Sequence, residues 1–194
     1  MVRRSASTEV RKCSPYLSAP TGVATARQLR AIICYVYTVT YFEDLGEYTY
    51  HGPDIVSLGG GYLRFQPRYR RLNVGWLDAP HPVPTGPVPD WLPPKLLDVA
   101  AGPQVNVMRG FHLCTLCGDA FDRSMLSVGA AQLGHAEVRV PAGDGVVFAA
   151  PTLVWHYVTA HGYRPPQAFV DALATYDPAW IDGPLIPDDA ERDS

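Results

Sequence analysis

Two pairs of soft-donor side chains frame the C-terminal half of this chain: Cys114-Thr115-Leu116-Cys117-Gly118 and His156-x4-His161. Two thiolates separated by two residues can turn both sulfurs toward one ion. The glycine after the second cysteine permits the positive φ that such a turn needs. The order Cys-x2-Cys, hairpin, helix, His-x4-His supplies four ligands of the types and spacings that structural Zn²⁺ prefers. A chain that closes around such an ion must bring the knuckle and the helix together, whatever the rest of it does.

The His pair carries one geometric difficulty. Positions i and i+5 differ by about 140° around an ideal helix, so a shared ion requires the helix to tighten or break before His161. Gly162 makes such a break plausible on sequence grounds. His112 is an alternative ligand, because His112-Leu113-Cys114 alternates like a strand and puts His112 and Cys114 on one side. His135, in a glycine-flanked loop, is a weaker substitute. A redox Cys pair would need a strand-Cys-x2-Cys-helix context that is missing here. Buried structural cysteines with hydrogen-bonding histidines are the other bland reading. Four protein ligands favour a structural site over a catalytic one, which keeps a position for water.

Around this site the chain reads as one domain with extensions. Proline is about twice as frequent as usual, with 19 residues, which predicts short elements and long extended connections. Residues 1–39 are expected to be a basic, disordered extension followed by a first strand over Ile32–Phe42. Within 40–110, Gly59-Gly60-Gly61 is a turn without phosphate-loop chemistry, and Leu72–Leu77 and Val105–Phe111 read as strands. The cluster Arg68, Arg70 and Arg71 reads as a solvated strand edge. Seven prolines between Pro80 and Pro94 exclude a helix interior or central strand there. They lead into a helix over Pro94–Ala101, stopped by Gly102.

The segment 111–176 is expected to be zinc-finger-like. Glu137–Val140 and Val146–Ala149 form a hairpin with Asp-Gly turn chemistry. Pro151 and Thr152 open a helix to about His161. Pro165-Pro166 starts a last helix with Phe169, Val170 and Leu173 on its apolar side. The acidic stretch 177–194 is expected to be a mobile tail. The fold class is therefore α+β: a small, mainly antiparallel sheet with two to three short helices and a treble-clef-like C-terminal half.

The stretch from Tyr41 to Leu173 resembles an uncharacterised bacterial family, a domain of unknown function. The resemblance rests on Tyr41-Phe42-x-Asp44-Leu45, Val74-Gly75-Trp76-Leu77-Asp78-x-x-His81-Pro82, Phe111-His112-x-Cys114-x-x-Cys117 and His156-Tyr157-Val158-x-x-His161-x-Tyr163-x-Pro165-Pro166. It implies no activity.

A net charge of −3 excludes the basic surface of a phosphate-binding protein. The helix bearing His156 is almost free of basic residues and is followed only by Arg164, so nucleic-acid binding is a distant third reading. No apolar run is long enough for a bilayer, and the Ala31–Val39 run sits too deep for a signal peptide, so the expected compartment is the cytoplasm. The leading expectation is a zinc-stabilised module for a protein partner, with Trp91, Trp155, Tyr157 and Tyr163 as possible contacts. The alternative is a hydrolase using Asp78 and His81, where a carboxylate would orient an imidazole as general base, or an open zinc site with His112 as third ligand beside a water.

Overall fold

A computed structural model describes residues 8–13, 34–39 and 41–193, with side chains from 41 onward. Strands β1 (Thr8–Cys13) and β2 (Cys34–Val39) pair antiparallel as a separate ribbon. Of the disordered extension and first strand expected over residues 1–39, the described residues are these two strands. The rest of that expectation, at 1–7 and 14–33, lies outside the described residues.

From Asp54 onward the strands form one seven-stranded sheet. Its members are β3 (Asp54–Leu58), β4 (Gly61–Phe65), β5 (Arg70–Asn73), β6 (Gln104–Val105), β9 (Glu137–Gly143), β10 (Val146–Pro151) and β11 (Glu191–Asp193). The numbers β7 (Ser127–Val128) and β8 (Ala131–Gln132) belong to a separate two-stranded ribbon. The sheet order is β11-β4-β3-β6-β9-β10-β5. Every pairing is antiparallel except β10 with β5. The sheet is thus mainly antiparallel as expected, but larger than the small sheet the sequence suggested.

The helices are α1 (Leu92–Ala101), α2 (Val154–His161) and α3 (Gln167–Ala174). Pro93 and Pro94 fall in the first turn of α1, where a missing N–H costs nothing, so α1 begins two residues before the expected start. Alternation along β9 sends Val138 and Val140 toward the helices, where they share a core with Leu92, Leu153, Tyr157 and Phe169. Glu137 and Arg139 therefore face the other side. At the β9–β10 turn, Asp144 and Gly145 have φ of 51° and 69°, the conformation that Asp-Gly turn chemistry supplies.

Two expectations need correction. The strand expected over Val105–Phe111 ends at Val105, because Asn106 turns left-handed at φ 52°. The Asn106 Oδ1 then accepts from Ile55 N at 3.1 Å, taking over the place of a ladder bond. The stretch 177–194, expected to be mobile, is described as far as residue 193 and folds back on the sheet. Trp180 is buried beside Val56, Leu63 and Val147, and β11 pairs with β4. Apolar residues inside the acidic stretch, Trp180, Leu185 and Ile186, supply the packing that outweighs its charge.

Candidate metal centre

The Cys114–Cys117 knuckle closes as a tight turn. Gly118 sits at φ 56°, where a Cβ is disfavoured, and its N–H donates to Thr115 O at 3.2 Å. Opposite the knuckle, His156 and His161 project from α2. Gly162 at φ 62° ends that helix directly after His161, and Tyr163 N donates to Tyr157 O at 3.0 Å to close the terminus. His161 therefore stands on the last helical residue, where the chain departs from ideal helix geometry.

The four side chains converge. Nε2 of His161 lies 3.2 Å from both Cys114 Sγ and Cys117 Sγ, and Nε2 of His156 lies 3.3 Å from Cys117 Sγ. One ligand atom from each residue falls within 4.8 Å of every other. A tetrahedral ion with Zn–S near 2.3 Å and Zn–N near 2.0 Å separates its S and N ligands by about 3.6 Å. The observed spacings are within a few tenths of an ångström of that requirement, so the cluster can hold a metal ion.

Electrostatics agree with an ion-binding role. Burial, above all, pushes the Cys114 thiol up to about 12, although the N–H groups of Cys117 and Leu116 point at the sulfur and oppose the rise. A thiolate in such surroundings needs a compensating cation, which a divalent metal supplies. Burial lowers both His156 and His161, the latter's charge also acting on the former, and so favours the neutral imidazoles that ligate metals. The Phe121 ring meets the His156 ring edge-on at 5.6 Å.

Two supports fix the cluster from outside. Thr115, inside the knuckle, donates through Oγ1 to Asp78 Oδ1 at 2.9 Å and accepts from Ala79 N at 3.0 Å. The Pro-rich loop clamps the far end of α2: Gly86 N donates to Gly162 O, and Arg164 N to Pro84 O. Tyr163 Oη then donates to Asp44 Oδ2 at 2.8 Å, while Gly75 N donates to Asp44 Oδ1. Gly75 has φ 72°, and a Cβ there would meet Val154 Cγ2 at 2.8 Å, so close packing of this loop on α2 requires glycine.

The other sequence candidates lie elsewhere. His112 is not a member of the four-residue cluster. Burial lowers its pKa, and the nearby Asp78 carboxylate partly opposes this. His135 lies apart from the cluster too, its ring 5.6 Å from that of Phe111. Asp78 and His81 meet only through the backbone, His81 N donating to Asp78 O at 3.0 Å. The His81 ring instead stacks on Tyr41 at 3.6 Å, and its Nε2 has no hydrogen-bond partner. Asp78 is wholly buried, and its role visible in the structure is to hold Thr115. Of the aromatics expected as contacts, Trp91 is exposed and Trp155 half-buried, whereas Tyr157 and Tyr163 belong to the core.

Sequence inspection missed a second polar assembly. Arg139, fully buried on β9, donates from Nη2 to Asp54 Oδ1 at 2.6 Å and from Nη1 to Glu137 Oε2 at 2.7 Å. Arg71 reaches the same Asp54 oxygen at 2.7 Å, so it is not a solvated edge residue. Tyr48 and Tyr69 donate to Glu137 and Asp54, both at 2.7 Å. Burial alone would raise Asp54, but the charges and hydrogen bonds of Arg139, with Arg71 and Tyr69, hold it below its ordinary value. The available signal was Glu137 and Arg139 on one face of a strand that is otherwise apolar.

No curated protein and no solved structure matches the chain. Among the described residues, no helix is long and apolar enough to cross a membrane. Residues 40–174 match a domain of unknown function, DUF7919, whose span takes in the knuckle, both ligand helix positions and the clamp that holds them, and the chain belongs to that family.

Proposed function

We propose that this domain is a zinc-stapled binding module, in which Cys114, Cys117, His156 and His161 hold one structural Zn²⁺ and the surrounding surface engages a protein partner. The observation that carries the metal assignment is the convergence of four ligand atoms within 4.8 Å, two sulfurs and two imidazole nitrogens. Mixed S₂N₂ donors suit Zn²⁺. Four protein ligands complete a tetrahedron, which supports a structural role over a catalytic one.

The metal completes a finger-like unit of knuckle, hairpin and helix whose hairpin is also part of the larger sheet, an embellished relative of the treble-clef arrangement by analogy. A protein partner suits the exposed apolar side chains Trp91, Val107 and Met125. Reduced cysteines at the site suit a cytoplasmic setting.

The test is elemental analysis of purified protein with Co²⁺ substitution. One metal per chain, with intense tetrahedral Co²⁺ absorption lost in Cys114→Ser and His161→Ala but kept in His112→Ala, is the expected outcome. A metal-free protein, or metal that depends on His112, overturns the assignment.

A further inference from the structure

Independent of the candidate metal centre lies a cleft of ≈ 230 Å³, whose walls include Tyr50, Trp76, Phe111, His112, His135 and Glu137. Tyr50 and Phe111, two of its lining residues, are each 37% exposed. Trp76 and Tyr50 meet nearly edge-to-face at 5.4 Å, and Phe111 and His135 tilt toward one another at 5.6 Å. The cavity is a little smaller than the roughly 300–1,000 Å³ of drug-sized sites. That limits an occupant to one ring or two fused rings.

The polar groups narrow the chemistry further. His135 Nδ1 is buried and without a hydrogen-bond partner, an arrangement costly enough to call for a ligand. Glu137 Oε1 accepts from Tyr48 and Asn106, and Oε2 from Arg139. Each carboxylate oxygen has two lone-pair sites, so Oε2 retains capacity for one further N–H. An aromatic cleft over a carboxylate ordinarily suggests a cation. Here the carboxylate is already neutralised: Asp54 and Glu137 are balanced by Arg71 and Arg139, two charges of each sign. Burial also lowers His135, which favours its neutral ring. A cation would be desolvated with no net negative charge to receive it.

We infer that this cleft binds an uncharged planar nitrogen heterocycle bearing a ring N–H, stacked against its aromatic walls, with the ring N–H donated to His135 Nδ1 and any further N–H to Glu137. That chemistry has two sources, a free base of the purine class or the indole of a tryptophan presented by a partner chain. The metal assignment can fail while this site stands, because none of the four metal ligands lines the cleft.

The experiment titrates the full chain separately with adenine, N-acetyltryptophanamide and benzamidine, by calorimetry and by the NMR signal of the Trp76 indole N–H. Millimolar or tighter binding of adenine or of the tryptophan amide is expected, and which of them binds identifies the source. Phe111→Ala and His135→Ala should each weaken it about tenfold, roughly the loss of one good contact. Tyr62→Ala, at an exposed position outside the cleft, should leave it unchanged. Benzamidine binding more tightly than both neutral probes overturns the inference, as does no binding by either neutral probe. Binding insensitive to Phe111→Ala and His135→Ala in folded variants overturns it as well.

Discussion

The Cys/His cluster and the Arg139 network are both buried polar assemblies built around the β9–β10 hairpin, yet they reach neutrality by different routes. The network is complete in itself: two carboxylates meet two guanidiniums, and two tyrosine hydroxyls occupy further acceptor positions. The cluster brings together two thiols and two imidazoles that could hold a metal ion, and in the proposed zinc-bound form the ion offsets the two thiolates. Burying charge is tolerable only where every charge is paired and hydrogen-bonded. One region meets that condition from the chain alone, and the other, in the proposed form, through an ion.

The largest expected difference comes from breaking the self-sufficient region. Arg139→Met leaves Asp54 and Glu137 buried with only Arg71 to offset them. It should cost about 3–5 kcal/mol, the range for removing one partner of a buried pair, in urea unfolding of the metal-loaded protein. A loss below about 1 kcal/mol would show that these charges do not hold the sheet face together.

Thr115→Val acts on the other region without touching a ligand. It removes the hydroxyl that joins the knuckle to Asp78 and Ala79. Metal affinity measured by chelator competition should fall about tenfold, the lower end of what outer supports contribute, while the Arg139 network is unaffected. Unchanged affinity would mean that the knuckle is preformed without Asp78.

Acid should separate the regions more gently. Protonation of the ligands releases metal first, since ligating imidazoles and thiolates must be deprotonated. The network persists further. The folded pKa of Asp54 is below its ordinary value of 3.8, so its contribution is present above that value and is lost as pH falls through the depressed folded one. Metal release and unfolding followed together should therefore occur as two steps in that order. A single coincident step would make the ion the support of both regions.

Much of the metal centre was legible because its information is local. Cys114, Cys117 and Gly118 form a short turn, and His156 and His161 share a helix whose end Gly162 marks. The β9–β10 hairpin and the apolar side of α3 were legible for the same reason, through turn chemistry and helical period. Proximity in sequence does not bring the Asp78 and His81 side chains together, because Asp78 reaches across to Thr115 and His81 turns onto Tyr41.

The sequence by itself determined which residue types could take metal, where the knuckle and its helix lie, and which faces of α3 and β9 are apolar. Only the tertiary structure decided that His112 stays outside the cluster, that the acidic segment 177–193 packs on the sheet, and that Arg139 meets Asp54 across 85 positions of chain. Turns, caps and periodicity are written in neighbouring residues. Pairing between distant strands instead depends on which surfaces the whole chain buries together, and a buried charge can be recognised only once its partners are in place.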